Sequence, residues 1–229
     1  MTQFMEETLP GCPTHEDICT FCSEVSGADT PFYDLGLART AEDYILHSTD
    51  NFVVVPCIGA LTDWYLLTVP RRHVLSSGWL TDKERAELRV VTRDVMRRLA
   101  ERSRQEVVLF EHGSFNFRDK GGSCHDHSHV HIVATEKPVR DFVASVSDSV
   151  ELEFCDDWIA AAAAMVRESS RSYLALESSA GSMIAKANNA PSAFFRKALV
   201  QWLDGEPGEH DWLTFPHTER LKGMLSTRL

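Results

Sequence analysis

Alternating histidines mark one short stretch of the chain, where four of the ten histidines take every second position: His125, His127, His129 and His131. The stretch runs into Val130, Ile132 and Val133, which are residue types that favour β-strands. Because alternate side chains of a strand share a face, the spacing predicts four imidazoles on one side of a strand. Such a cluster is costly to bury without partners, and it suits metal binding or nucleophilic and acid–base chemistry.

The composition is that of an ordinary globular protein, with 43% hydrophobic and 25% charged residues in a chain of 229. This length suits one sizeable domain, or one domain with an extension. The net charge of -11 argues against a general binder of nucleic acid or of anionic membranes. A locally positive pocket can still hold a small phosphorylated substrate, so the charge does not exclude one.

Neither a secretory signal nor a membrane span is expected from the sequence. Residues 1–12 include Glu6 and Glu7 and contain no apolar run. No stretch approaches the roughly 20 apolar residues that a spanning helix needs. We therefore expect a cytoplasmic protein, in which an even number of cysteines does not imply disulfides.

Hydrophobic periodicity and turn signals predict strands crossed by helices. A helix is predicted from Thr81 to about Arg102, because Thr81 and Glu84 form a capping box and apolar residues follow at helical spacing. Strands are predicted at residues 44–48, 51–56, 64–69, 107–110 and 125–134. Strands and helices joined by mostly local connections predict an α+β fold, with an antiparallel sheet and packed helices.

The chain is expected to divide into an irregular leader, a main domain and a C-terminal extension, at residues 1–14, 15–138 and 139–229. Pro138 marks the second boundary. The extension is expected to be mainly helical, with helices predicted at 156–168 and 191–203 and a short strand at 172–176. Its aromatic residues, including Trp202 and Trp212, indicate that it packs on the core.

Among the six cysteines only Cys19 and Cys22 have an informative spacing. A Cys-x-x-Cys pair is half of a zinc site or a redox pair, and its alternative is two buried small hydrophobic residues. A tetrahedral site needs two more ligands. Cys12 and His15 are alternative ligands near this pair.

Four blocks of the sequence, in this order, resemble the histidine triad (HIT) superfamily of nucleotide hydrolases and transferases: residues 19–22, 67–74, 110–113 and 127–133. Together they span about residues 15–138. The resemblance implies a HIT-like fold and a reaction in which His129 attacks the α-phosphorus of a nucleotide. Water or another acceptor then resolves the nucleotidyl-histidine. A neutral imidazole is a good nucleophile near pH 7, so the chemistry is sound for these residues.

The resemblance also implies roles for the neighbouring residues. His131 would hydrogen-bond to the phosphate or the leaving group, and the carbonyl of His127 would orient His129. Zinc-bearing members imply a structural Zn²⁺ on four residues of this chain: Cys19, Cys22, His73 and His127.

The glycine-bearing segment before the histidines resembles the phosphate loop of relatives, and a plain turn is its alternative. Its candidate phosphate-binding residues are Gly122, Ser123, Cys124 and Asn116. Relatives often carry a serine at the position of Cys124, which is a weaker donor. His112 would touch substrate or cap its strand, and His125 has no assigned role.

Two departures from the family pattern bear on the substrate. Many nucleotide-binding relatives have an acidic residue for the ribose hydroxyls where this chain has Cys57. A Gly-His pair common in relatives is replaced by Trp64 and Tyr65. These departures predict altered nucleotide recognition, and an unusual phosphoryl compound or a specialised metabolite as substrate.

Three functions compete at this point. The first is a nucleotidyl or phosphoryl hydrolase or transferase working through His129 on a phosphate ester, anhydride or phosphoramidate. The second is a nucleotide-binding protein that keeps the fold without turnover. The third is a metalloenzyme whose catalytic metal sits on the histidine cluster. A homodimer is implied by the resemblance, although the added tail could block the usual interface.

Overall fold

The computed structural model of the protein describes residues 19–188 and 190–227. The predicted leader over residues 1–14 and the alternative ligands Cys12 and His15 lie outside the described residues.

The main elements before residue 138 are, in chain order, α1 (Thr20–Ser26), α2 (Pro31–Asp34), α3 (Ala41–Tyr44), β1 (His47–Ser48), β2 (Phe52–Pro56), β3 (Tyr65–Pro70), α4 (Asp82–Ser103), β4 (Glu106–Gly113) and β5 (Val130–Thr135). A 3-10 turn at Ser77–Trp79 precedes α4. The later elements are α5 (Val139–Ser147), β6 (Glu153–Cys155), α6 (Trp158–Arg167), β7 (Tyr173–Ser178), β8 (Gly181–Lys186), α7 (Phe194–Trp202) and α8 (Thr218–Thr227).

One eight-stranded sheet runs through the described residues in the order β1-β2-β3-β5-β4-β7-β8-β6. Every neighbouring pair is antiparallel. The predicted α+β fold with an antiparallel sheet is therefore confirmed. None of the described helices is long and apolar enough to span a bilayer.

The centre of the sheet is covered on both faces, because β2, β3 and β5 are buried at every position. Helix α4 packs on β4 and β5 and contacts α6, which packs on β7 and β8. Helices α5 and α7 pack on each other, and both contact β4. The histidine strand β5 therefore lies between β3 and β4 in the best-buried part of the molecule.

The capping box predicted for α4 is present. The Thr81 hydroxyl accepts from the Glu84 amide, and the Glu84 carboxylate accepts from the Thr81 amide at 2.7 Å. Arg72 also contacts Glu84 at 2.7 Å, and this guanidinium, with the Thr81 bonds, lowers the pKa of Glu84 to about 2. The start of α4 is thereby tied to the segment that carries His73.

Two strand predictions need correction at their ends. Tyr44 belongs to the short helix α3, because Thr40 and Asp43 form a capping box that the strand pattern did not reveal. The histidine strand begins at Val130 and not at His125. Ser128 donates its amide to the carbonyl of Val74, so sheet pairing of this segment starts only where Val130 faces Thr68.

The C-terminal extension continues the same sheet through β7, β8 and β6, of which the sequence predicted only β7. Strand β7 pairs with β4, so two successive α-β-β-α units, α4-β4-β5-α5 and α6-β7-β8-α7, meet side by side. A long loop, residues 114–129, joins β4 to β5, whereas a tight turn joins β7 to β8. The domain division at residue 138 and the homodimer stay predictions, and the sheet runs across that division.

Candidate active site

Two cysteines and two histidines from separate parts of the chain come together beside the histidine stretch: Cys19, Cys22, His73 and His127. One ligand atom of each lies within 4.8 Å of all the others. Cys19 is the N-cap of α1 and Cys22 lies in that helix, whereas His73 follows β3 and His127 precedes β5. The cluster thus joins α1 to the strands that carry the histidines.

The spacing of these ligand atoms fits a tetrahedral metal ion. The Sγ of Cys19 lies 3.3 Å from Nδ1 of His127, and the Sγ of Cys22 lies 3.3 Å from Nδ1 of His73. Ligands at the usual zinc distances, about 2.3 Å for sulfur and 2.1 Å for nitrogen, stand about 3.6 Å apart across a tetrahedral angle. Thiolates and imidazoles suit zinc, whereas magnesium and calcium prefer oxygen ligands. The four residues can therefore hold a metal ion.

The ring of His127 is oriented for such a ligand role. Its Nε2 lies 2.9 Å from the carbonyl oxygen of Pro70. A carbonyl only accepts, so Nε2 carries the proton and the lone pair of Nδ1 faces the two sulfurs. Burial lowers the pKa of His127 to about 4, which keeps the ring neutral.

The ring of His129 is held by the backbone of the same segment. Its Nδ1 lies 2.8 Å from the carbonyl oxygen of His127 and must donate, which leaves the lone pair on Nε2. Burial, aided by the nearby His125, lowers the pKa of His129 well below its usual value. His129 is therefore a neutral imidazole with an unprotonated Nε2.

His131 lies next to His129, with ring centroids 4.8 Å apart, and stacks on Phe110 at 4.6 Å. Its Nδ1 lies 2.9 Å from the hydroxyl of Tyr65. The guanidinium of Arg196 lies over the Tyr65 ring at 5.6 Å and is only a donor, which favours the Tyr65 oxygen as an acceptor. The Tyr65 proton then goes to Nδ1 of His131, and the other ring nitrogen, Nε2, keeps a proton to donate.

His129 and His131 line a cleft. Its apolar walls are Phe21, Pro56, Ile58, Leu67 and Trp212. Its polar lining comprises Thr20, Glu24, Cys57, Cys124, His125 and Arg196. A mostly apolar cleft with a few convergent polar groups beside two imidazoles is typical of a small-molecule site.

A buried carboxylate anchors the segment between His127 and His129. Glu111 on β4 accepts from the Ser128 hydroxyl at 2.8 Å, from the amide and hydroxyl of Ser77, and from the Tyr173 hydroxyl at 2.5 Å. Burial raises the pKa of Glu111. These bonds tie β7 and the turn before α4 to Ser128, so the histidines stand on a fixed backbone.

The predicted phosphate-binding residues take different positions. Cys124 lines the cleft, whereas Ser123 is buried and donates its hydroxyl to the carbonyl of His125 at 2.8 Å. Gly122 has a φ of +84°, which few other residues adopt, and its carbonyl accepts from Ala193. Asn116 accepts from two amides of its own loop and is not among the residues lining the cleft.

The two unassigned histidines are also located. His112 is buried, and its Nε2 accepts from the amide of Phe195 at 2.9 Å, at the start of α7. Burial, then the Arg196 charge, lowers the pKa of His112 to about 3. His125 lines the cleft between the rings of Phe21 and Trp212, at 5.0 and 5.8 Å.

Sequence reasoning missed Glu24, Tyr65 as the partner of His131, and the residues of the extension that reach the cleft. Arg196 is buried and donates to the carbonyls of Gly59 and His210 and to the Cys57 sulfur. Trp212 packs so closely on Gly59 that a Cβ there would lie 2.7 Å from the Trp212 Cβ. No local pattern in the sequence places these residues at the cleft, because their positions depend on how the extension packs.

Comparison with known proteins gives limited similarity. No protein-family model and no curated protein matches the chain. Among solved structures, a hypothetical histidine triad nucleotide-binding protein from Sulfolobus tokodaii is 20% identical at a TM-score of 0.38, over 52% of this chain and 70% of that one. A HIT family hydrolase from Clostridium thermocellum is 14% identical at 0.34, over 51% and 90%. A hypothetical protein from Leishmania major is 17% identical at 0.39, over 57% and 92%. Scores this low leave the function to be argued from the geometry of the site.

Proposed function

We propose that the protein is a nucleotidyl or phosphoryl hydrolase or transferase of the histidine triad type, acting through a covalent intermediate on His129. The observation that carries the proposal is the hydrogen bond from Nδ1 of His129 to the carbonyl of His127, 2.8 Å long. It leaves a neutral Nε2 as the nucleophile, next to a second imidazole and an open cleft.

The proposed reaction has two displacements at phosphorus. Nε2 of His129 forms a bond to phosphorus while the bond to the leaving oxygen or nitrogen breaks. Nε2 of His131 donates a hydrogen bond to the leaving group, which takes its proton from solvent. Water or an acceptor alcohol then attacks the phosphorus, the bond to His129 breaks, and the proton of the attacking group passes to solvent. The net reaction is hydrolysis or group transfer, and no atom changes its oxidation state.

A Zn²⁺ on Cys19, Cys22, His73 and His127 would serve as a structural cross-link in this proposal. The Nδ1 atom of His127 faces the two sulfurs, while its carbonyl accepts from His129. Loss of the ion would therefore free the backbone that orients the nucleophile. The zinc itself takes no part in the displacement.

Intact-mass spectrometry tests the covalent step. The protein would be mixed with adenosine and guanosine phosphoramidates, dinucleoside polyphosphates and nucleotide sugars, and quenched without acid because a phosphohistidine bond is acid-labile. We expect a nucleotidyl adduct on the wild type and on His47→Ala, a matched histidine control on the edge strand β1. His129→Ala should show none. An adduct of equal yield on His129→Ala would remove His129 as the nucleophile.

A nucleotide-binding protein without turnover is the second candidate, favoured by the absence of a carboxylate at Cys57. Binding of a panel member with no adduct and no product would establish it. A catalytic metal on the histidine stretch is a third candidate and has less support. The metal-ligating group in the described part of the chain uses only His127 of the stretch.

A further inference from the structure

Glu24 is the feature of the cleft that the reaction at His129 does not explain. It lies on α1, lines the cleft and is 5% exposed. Among the described residues its carboxyl has no hydrogen-bond or ion-pair partner, whereas its backbone carbonyl accepts from the Tyr44 hydroxyl at 2.6 Å. A buried carboxyl without a partner destabilises the folded state. Its presence in the cleft therefore indicates that a ligand supplies the missing hydrogen-bond partner.

The charge near Glu24 limits what that ligand group can be. Arg196 lines the same cleft, is buried, and forms no ion pair with an acidic residue in the described part of the chain. Its donors go to uncharged acceptors, the carbonyls of Gly59 and His210 and the Cys57 thiol. Burial raises the pKa of Glu24 to about 8, so near pH 7 its carboxyl is largely uncharged and does not offset the repulsion that Arg196 exerts on a second cation. An anion near Arg196 and a neutral hydrogen-bond donor near Glu24 are both favoured.

A phosphate ester of a sugar meets both requirements. Its phosphoryl group is the anion, and it would sit at the neutral histidines, where Arg196 supplies the positive charge. Its hydroxyl groups are neutral donors, and a carboxyl oxygen can accept hydrogen bonds from them. Phe21 and Trp212 also line the cleft, and aromatic side chains suit the apolar faces of a sugar or a base.

We propose that Glu24 is the specificity-determining residue of the cleft and accepts hydrogen bonds from the hydroxyl groups of a sugar esterified to the reacting phosphate. The proposal rests on the proposed function only in placing the phosphate at His129. Cys57, which follows β2, is poorly suited to accept from the sugar hydroxyls, because its thiol is buried against Arg196 and is a weak acceptor. The carboxyl proposed to bind the sugar therefore lies on helix α1 and not next to strand β2.

Titration calorimetry with matched ribose and dideoxyribose nucleotides tests this. The probes are ribose 5-phosphate and the 5′-monophosphates of adenosine, guanosine, cytidine and uridine, each nucleotide with its 2′,3′-dideoxy counterpart. The wild type should bind at least one ribonucleotide about 10- to 100-fold more tightly than its dideoxy counterpart. In Glu24→Met that ratio should fall below about threefold, mainly through weaker binding of the ribonucleotide.

Two variants serve as controls for this measurement. Glu42→Gln changes an exposed acid on α3 and should keep the wild-type ratio. His129→Ala should also keep it, because the ratio reports binding and not chemistry. A Glu24→Met ratio equal to that of the wild type would overturn the proposal. So would a wild type that binds ribo and dideoxy probes equally, or binds none of them.

The outcomes separate this proposal from the proposed function. A ribose preference that depends on Glu24, with no adduct on His129, would leave Glu24 as a recognition residue and overturn covalent catalysis. An adduct on His129 with no ribose preference would leave the covalent reaction standing and remove Glu24 from substrate recognition.

Discussion

The carbonyl oxygen of His127 accepts a hydrogen bond from Nδ1 of His129 at 2.8 Å, while the ring of His127 turns its own Nδ1 toward Cys19 at 3.3 Å. One residue therefore belongs to the metal-ligating cluster through its side chain and to the candidate nucleophile through its backbone. The geometry of His129 depends on that of the cluster.

Replacing Cys22 by Ser should lower bound zinc and stability more than it lowers the intrinsic chemistry. A cluster that joins α1 to β3 and β5 loses one of its four ligands, and metal binding free energy is also folding free energy. We expect Tm to fall by roughly 10 °C and the zinc content to fall well below one ion per chain. Elemental analysis and calorimetric unfolding measure both. Purified wild type without zinc would contradict this prediction, and Cys155→Ser, away from the cluster, is its control.

Tyr65→Phe should lower kcat about 10- to 100-fold with little change in KM. The substitution keeps the ring under Arg196 and removes the hydroxyl that lies 2.9 Å from Nδ1 of His131. Without that donor, His131 is free to place its proton on Nδ1, and Nε2 then has no proton for the hydrogen bond to the leaving group. Steady-state kinetics on a substrate found in the mass-spectrometric panel provide the measurement.

Tyr33→Phe is the matched control for this substitution, because the Tyr33 hydroxyl donates to the carbonyl of Gly27, a residue not among those lining the cleft. Its kcat should equal that of the wild type. Unchanged kcat in Tyr65→Phe would show that the tautomer of His131 does not depend on Tyr65.

Glu24→Met should raise Tm by a few degrees while weakening ligand binding. Burying an unpartnered carboxyl opposes folding, and an apolar side chain of similar length removes that cost. A residue retained for the fold would behave in the opposite way and lower Tm when replaced. Thermal unfolding of Glu24→Met, Glu24→Gln and the wild type without ligand distinguishes the two cases.

His112 should make stability depend on pH in mildly acidic solution. Burial lowers the pKa of His112 to about 3, from about 6.5 in the unfolded chain, so the unfolded state binds the extra proton first. The contribution of His112 is therefore present above pH 6.5 and is lost as pH falls toward 3, at a slope of at most about 1.4 kcal/mol per pH unit.

Urea unfolding between pH 7 and pH 4 checks the His112 prediction. His112→Gln keeps an acceptor for the Phe195 amide and does not titrate in this range, so its stability should fall less steeply with decreasing pH. Equal slopes for the variant and the wild type would contradict the assignment. His47→Gln, on the edge strand β1, should behave as the wild type.

The sequence predicted best what local spacing encodes. Residue types a few positions apart are enough to recognise the alternating histidines, the Cys-x-x-Cys pair and the Thr81 capping box. The structure brings together the four residues Cys19, Cys22, His73 and His127. The early start predicted for the histidine strand failed because the amide of Ser128 bonds to the Val74 carbonyl outside the sheet. That bond depends on tertiary packing, which no alternation of residue types reveals.

The recognition side of the cleft was not predictable for a related reason. No helix was predicted at Glu24, and its burial arises only when α1 docks beside the cleft. Arg196 reads as a surface arginine on an amphipathic helix, yet α7 packs on β4 and directs it toward the β2–β3 turn. Such long-range placements carry no periodic signal in the residues themselves.

The pairing of β7 with β4 has a consequence for how this protein can change over time. The segment after residue 138 contains none of the four alternating histidines, but it brings Arg196 and Trp212 to the cleft. Substitutions at Arg196 or Trp212 can alter which molecules enter while His129 and its hydrogen bond to the His127 carbonyl stay intact. Part of the cleft lining thus lies in a stretch of sequence that carries none of the alternating histidines, and that part can diverge while those histidines are kept.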